Sequence, residues 1–255
     1  MIDICVHGKR LRSFPSQKDI ACCYHMFDRH SGVSSGKYES LNIGNFTGDQ
    51  QAQVEENRRR VRMSIGVSAL VSARQVHGNK VCCLATTVNT DIEIDGVDAL
   101  VTDLTDVGLV IQQADCQAVL LFDPGKEVIA AVHCGWRGSV QQIIARTIMV
   151  MTEQYGSKPA DVRAVISPSL GPCCAEFINY KKELPEVFYT FMLSGDHFDF
   201  WQISRYQLCC AGLVESHIRT VGICTCCSPD YFSYRRASRT DGGVTGRNCS
   251  VIMLR

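Results

Sequence analysis

One stretch, LVIQQADCQAVLLFDPGKEVIAAVHCGWRG at 109–138, constrains the fold more than any other part of the chain. Two apolar runs, 118–122 and 128–132, flank Asp123-Pro124-Gly125. Pro presets φ for a turn and Gly relieves the backbone after it, so this segment predicts an antiparallel hairpin. Folded about Pro124 and Gly125, the hairpin pairs Asp123 with Lys126 and sets Cys116 opposite His133. Directly opposed residues hold their Cβ atoms roughly 4.5–5.5 Å apart. A thiolate and an imidazole at that distance can share a metal ion or act as nucleophile and base. The register decides the outcome, because a slip of one residue turns the two side chains to opposite faces.

Around this hairpin the apolar periodicity predicts a helix over 49–66, with Asp49 as its cap and Gly66 as its stop. A second helix is expected over 139–155, closed by Gly156, with Ile143, Ile144, Thr147, Ile148 and Met151 on one face. Further helices are expected over 181–193 and 204–219. Short strands are expected over 67–75, 80–86, 99–102, 162–166, 220–224 and 249–254, with three central strands across 109–132. Residues 24–48, rich in Gly, Ser and Asn, read as irregular loops. Strands and helices mix without strict βαβ alternation, which predicts an α/β or α+β fold: a layered sandwich of mixed sheets flanked by helices. No repeat, low-complexity tract or linker divides the 255 residues, so one domain over 1–255 is expected.

Lys and Arg total 26 and Asp and Glu total 26, so no net field favours nucleic acid or an anionic membrane. The N-terminal sequence MIDICVHGKRLRS lacks the apolar core of a signal peptide, and no 18-residue apolar run occurs. The reading is a protein of the cytoplasm, or of the nucleus, with no membrane span. Fifteen cysteines, an odd number, then point to reduced thiols rather than a disulfide framework. Cysteines other than Cys116 are expected to be small buried apolar residues. Cys224-x-x-Cys227 has zinc-knuckle spacing, but no second C-x-x-C completes it. Five adjacent pairs, Cys173-Cys174 among them, would face opposite sides of a strand and so chelate one ion poorly.

His77, in RQVHGN at a strand end, supplies a second imidazole. With Cys116 and His133 it makes a His₂Cys set, suited to Zn²⁺ with a fourth position left for water. The same donors resemble copper electron-transfer sites, so ligand type alone does not choose the metal. Asp115 adjoins Cys116; on a regular strand it points away, and at an irregular strand end it reaches substrate as a proton donor or acceptor. Arginines are the other signal. Arg58, Arg59 and Arg60 lie about 100° apart on the first helix, so not all can face one pocket. Arg137 follows Gly135-Trp136, and Arg247 closes the glycine-rich DGGVTGR that Arg235, Arg236 and Arg239 precede. Guanidinium forks beside glycines suit an oxyanion such as phosphate. Neither a P-loop nor a dinucleotide fingerprint is present. Gly32-Val-Ser-Ser-Gly36 matches the nucleophile elbow in letters but lacks the strand before it and the helix after it. No H-x-E occurs, which removes the zinc deaminases built on H-x-E and P-C-x-x-C. No His-x-His occurs either, which removes a trinuclear copper cluster.

Several motifs together, SGVSSGKYESLNIG, RQVHGNKV, VDALVTD, QADCQAVLLFDP, AAVHCGWRG, SPSLGPCCAEF, CTCCSPDYFSYRR and DGGVTGRNCSVIML, resemble the YfiH/YlmD-like laccase-domain family nearly end to end. The resemblance implies a three- or four-layer α/β sandwich and a metal, usually zinc, on His77, Cys116 and His133. It implies phosphorolysis of purine nucleosides (adenosine, inosine, guanosine, methylthioadenosine), with inorganic phosphate as co-substrate, and deamination of adenosine. Asp115 and Cys116 would then be catalytic. Arg59, Arg137 and Arg247 would hold phosphate, and Asn42, in the S-L-N motif, would bond ribose or base. Ser31 stands where the family has Gly and Lys37 where it has Pro, and 237–240 reads as an insertion. Three other readings stay open: a copper-dependent polyphenol oxidase, a cysteine hydrolase using Cys116 and His133, and a binding module with a purely structural metal.

Overall fold

A computed structural model describes residues 2–6, 9–13 and 22–255, with side chains from Cys22 onward. Its strands are β1 (Ile2–Val6), β2 (Lys9–Ser13), β3 (Cys22–Phe27), β4 (Ala69–Arg74), β5 (Val81–Cys83), β6 (Ile92–Asp95) and β7 (Ala99–Thr102). There follow β8 (Val107–Gln113), β9 (Gln117–Asp123), β10 (Val128–Cys134), β11 (Arg163–Ile166), β12 (Ile218–Thr220) and β13 (Asn248–Leu254). The helices are α1 (Gln51–Ile65), α2 (Trp136–Val140), α3 (Ile143–Tyr155), α4 (Tyr180–Glu183), α5 (Phe200–Cys210) and α6 (Tyr234–Thr240). Two mixed sheets result, ordered β1-β2-β3-β13-β8-β4-β6 and β12-β11-β9-β10-β7-β5.

Alternating side chains on these strands build four layers. Leu109, Ile111 and Ile252 of the first sheet meet Leu120, Phe122, Ile129 and Ala131 of the second in one buried cluster. On the outer face of the first sheet, Leu70, Val110 and Val251 pack against Val61 and Ile65 of α1. On the outer face of the second, Val119, Leu121, Ala130 and Val132 pack against Ile144, Ile148 and Met151 of α3 and Leu208 of α5. Strands β9 and β10 are therefore covered on both faces, which is why they read as unbroken apolar runs. Each large side chain so buried contributes about 1.5–3 kcal/mol.

Between β4 and β9 the chain changes sheet at every step. Strands β4, β6 and β8 run parallel in the first sheet, and β5 and β7 run parallel in the second. Parallel neighbours need a crossover, usually a helix; here a strand of the opposite sheet serves. Three crossings, 75–80, 96–98 and 114–116, leave from the carboxyl ends of β4, β6 and β8 and so gather at one end of the sandwich.

Several expectations need correction. The β9–β10 turn takes four residues, 124–127, with Glu127 in left-handed backbone at φ 52°. His133 therefore pairs with Ala118 and Cys134 with Gln117, two residues away from the expected register. A shift of two keeps the face, so His133 still points between the sheets. The 139–155 helix is two helices, parted at Gln142, whose φ is 60°; the expected apolar face of α3 is buried. Asp49 is not the cap of α1, a place held by Gln50, while Gly66 at φ 73° does end it. Pro185 breaks the 181–193 helix into α4 and a 3-10 turn at Glu186–Phe191. The 204–219 helix starts earlier and stops at Cys210, before Gly212 at φ 98°. The segment 237–240 forms the last residues of α6. Strands β3 and β6 fall where loops were read or nothing was expected. Among the described residues no helix is long and apolar enough to cross a membrane.

Candidate active site

The three crossings supply the centre of the site. His77 stands on the first at φ 61°, Asp98 on the second, and Asp115 (φ 85°) and Cys116 on the third. Left-handed backbone at residues other than Gly costs about 1–3 kcal/mol and persists only where surroundings hold it. Asp98 does the holding at His77. Its Oδ1 accepts the His77 amide at 2.9 Å, and its Oδ2 accepts the amides of Gly78 at 2.8 Å and Val76 at 3.3 Å.

The same Oδ1 lies 2.8 Å from Nδ1 of His133, which arrives at the end of β10. Both side chains are buried, at 0% exposure for Asp98 and 2% for His133. Fixing Nδ1 in this way leaves Nε2 to face the site, as in carboxylate–histidine–metal arrangements. The His77 and His133 rings meet edge to face, 4.8 Å between centroids. Cys116 Sγ lies 3.9 Å from His77 Nε2, and the three donor atoms all fall within 4.8 Å of one another. The triad expected from the sequence is thus brought together, although not by direct opposition across the hairpin.

Electrostatics suit a thiolate. Burial opposes ionisation of Cys116, but the His133 and His77 imidazoles outweigh it and pull the thiol below its ordinary range. Burial would discharge His133, yet the Cys116 sulfur and the Asp98 carboxylate push it up instead. Asp98 is itself held below the usual carboxylate range: burial raises it, and hydrogen bonds from His133 and the Gly78 amide more than offset that. Two imidazoles and a readily formed thiolate match the donor set of a zinc site with one open position. Space around them is tight on one side. A Cβ on Gly135 would lie 2.9 Å from Cys116 Sγ and 3.2 Å from His77 Cδ2, so only glycine fits there.

The open side faces a cleft of about 660 Å³ lined by Phe46, Trp136, Phe177, Tyr234, Arg137 and Arg247 among others. That volume suits a small molecule. Arg137 stacks 4.4 Å over the Trp136 ring. Burial lowers Arg247 from its ordinary value, and Cys116 and then Asp115 are the largest influences opposing it. Arg235, from the run before DGGVTGR, also lines the cleft, as does Arg74, which the sequence does not single out.

The remaining candidates fall differently. Asp115 lines the cleft, but its Oδ1 accepts from Thr225 Oγ1 at 2.7 Å and its Oδ2 from the Arg235 amide. Asn42 is fully buried, and its amide group is spent on Thr47, Asp49, Gly44 and the Arg247 amide. It touches no cleft surface; it positions Gly44 and Arg247, which do. Arg59 is outside the cleft, paired with Glu56 at 2.7 Å on α1. Arg58 is buried against Ile43 O and Ser72 Oγ, and Arg60 joins Glu56 and Ser31 O. The residue that sequence reasoning passed over is Asp98. Its signal was an acid opening the apolar strand β7, a place where a buried charge demands partners.

Residues 23–255 match the family model described as multi-copper polyphenol oxidoreductase laccase. A purine nucleoside phosphorylase of Bacteroides thetaiotaomicron is 30% identical over 96% of this chain and 97% of its own. One of Deinococcus radiodurans is 34% identical over 89% of this chain and 87% of its own. The crystal structure of Bacillus licheniformis hypothetical protein YfiH superposes with a TM-score of 0.83 at 28% identity, covering 92% of this chain and 93% of that one.

Proposed function

The chain belongs to the YfiH/YlmD laccase-like family, and on that footing we propose that its cleft carries out phosphorolysis of purine nucleosides and deamination of adenosine, with zinc on His77, Cys116 and His133. One observation carries the reading. A three-donor site with one open side lies at the wall of a cleft that also holds four arginines and several aromatic faces.

Bound zinc would supply Lewis acidity for the charge that develops on the reacting base. The protein's own groups account for the rest. Arg137 and Arg247 offer guanidinium forks to hydrogen phosphate and hold one of its oxygens toward C1′ of the nucleoside. The new C1′–O bond forms as C1′–N9 breaks, and the bond pair leaves with the purine. The proton that hydrogen phosphate loses balances the one the purine gains. The sugar passes through an oxocarbenium-like state, for which a nearby anion is favourable. Asp115 fits that role by position, since it lines the cleft and Thr225 Oγ1 and the Arg235 amide hold its two oxygens in place. Trp136 and Phe177, 6.2 Å apart and nearly perpendicular, give the base an aromatic wall. In deamination water replaces the C6 amino group and ammonia departs, so no phosphate is needed.

Incubation of metal-analysed protein with adenosine, with and without phosphate, tests the proposal. Adenine and ribose 1-phosphate are expected only with phosphate, and inosine in both cases. Adenine released equally without phosphate, or no product at all, would refute it. The copper oxidase reading rests on the His₂Cys donors and on the family model's description. Oxidation of a diphenol by copper-loaded protein, with adenosine untouched by the zinc form, would favour it instead.

A further inference from the structure

The cysteines do not behave as buried apolar residues in general. Cys22, Cys23, Cys134 and Cys249 are buried, whereas Cys83, Cys173, Cys209, Cys210 and Cys227 are exposed. Four thiols, two of them exposed and two half-buried, gather in one place. The sulfurs of Cys173, Cys174, Cys224 and Cys227 all lie within 4.8 Å of one another. Cys227 Sγ is 3.6 Å from Cys173 Sγ and 3.5 Å from Cys174 Sγ. With Zn–S bonds of about 2.3 Å, the edge of a tetrahedral four-thiolate site is about 3.8 Å. The sulfurs already stand near that separation.

Local backbone explains how. Cys173 and Cys174 sit in a turn after Pro172, not in a strand, so adjacent side chains can turn to one side. Cys224-Thr-Cys-Cys227 forms another turn. The amides of Gly171, Cys226 and Cys227 point at Cys224 Sγ, the first of them at 3.3 Å. Amides aimed at sulfur stabilise a thiolate ligand and fix its direction. The partner missing from the C-x-x-C knuckle is thus supplied by an adjacent pair more than fifty residues earlier in the chain.

We propose that Cys173, Cys174, Cys224 and Cys227 bind a second zinc ion, closed by four protein sulfurs and therefore structural, where the His77–Cys116–His133 site is open. Its place in the fold gives it a task. Thr225, inside the knuckle, donates to the Asp115 carboxylate, and Leu170, next to Gly171, donates its amide to the Asp115 carbonyl at 2.8 Å. Arg236 of α6 donates to the carbonyls of Thr225, Cys226 and Ser228. The ion ties the 171–174 turn to the 224–227 turn and so holds the wall of the cleft against Asp115.

Metal content and thiol protection test this without reference to catalysis, so the result stands whether or not the nucleoside chemistry proves correct. Wild-type protein from zinc-supplemented cells is expected to carry two zinc ions per chain. The His77→Ala/Cys116→Ser variant is expected to keep one and, exchanged for cobalt, to give the intense near-ultraviolet thiolate charge-transfer band of a four-sulfur site. Zinc-free His77→Ala/Cys116→Ser protein, or a cobalt form lacking that band, overturns the proposal. On unmutated protein, alkylation mapped by mass spectrometry gives an answer independent of variant folding. Zinc is expected to protect all four cysteines at least tenfold, and a chelator to remove that protection. Equal alkylation with and without zinc, or recovery of these residues as disulfides in protein with a single zinc, overturns it.

Discussion

The Asp98 carboxylate bridges two parts of the site at once, accepting Nδ1–H of His133 at 2.8 Å and the backbone amide of His77 at 2.9 Å. One buried acid thereby sets both the tautomer of one imidazole and the backbone that carries the other. Asp98→Asn preserves the shape but reverses one donor–acceptor relation. Its zinc affinity, read by competition with a chromogenic chelator, is expected to fall about 10–100-fold. An unchanged affinity would leave Asp98 a purely structural residue.

Cys116 is held below the ordinary thiol range by His133 and His77 acting against burial. A depressed thiol is deprotonated above its lowered value, so metal-free protein should react with iodoacetamide at Cys116 at pH values where ordinary cysteines are protonated and slow. Zinc should suppress this reaction. His133→Gln removes the main favourable charge and should move the alkylation profile toward higher pH, measured by mass spectrometry of the Cys116 peptide.

Arg247 and Arg137 line the cleft, while Arg59 pairs with Glu56 on the outer part of α1. A charge-assisted hydrogen bond contributes about 1.5–3 kcal/mol, roughly 10–100-fold in apparent affinity. Arg247→Ala and Arg137→Ala should each raise KM for phosphate by that factor while sparing deamination. Arg59→Ala should change neither. Equal loss of both activities in the cleft variants would refute the division of roles.

Gly135 has φ −78°, so its backbone would accept any residue; only the space is reserved. A methyl group there would stand 2.9 Å from Cys116 Sγ. Gly135→Ala should weaken zinc binding more than tenfold, while overpacking lowers stability by only about 1–3 kcal/mol. Calorimetry with and without zinc separates the two effects.

Much of this was readable from the residues, and the failures have physical causes. The apolar face of α3 follows from its periodicity, and the central place of β9 and β10 from their unbroken apolar runs, which burial on both faces enforces. The hairpin register did not follow, because a glutamate, Glu127, adopts left-handed backbone without any residue type announcing it. The triad survived that error because a two-residue shift keeps parity. Asn42 resembled a ligand group in its motif, yet the fold consumes its amide internally. Asp98 carries only a weak local mark, an acid just before an apolar strand, because the partners that bury it come from 76–78 and from His133, far away in the chain. The thiol cluster was hidden for the same reason, since its two halves lie in turns separated by the whole of α4 and α5.

Because the chain crosses between sheets three times at one end, His77 arrives from the first sheet, His133 from the second, and Cys116 from the segment joining them. An ion gripping all three would rivet the two layers. Its affinity then becomes a gauge of how the layers are seated: a cavity opened at remote Leu109 or Leu120, where the sheets meet, would loosen the metal before it melted the protein.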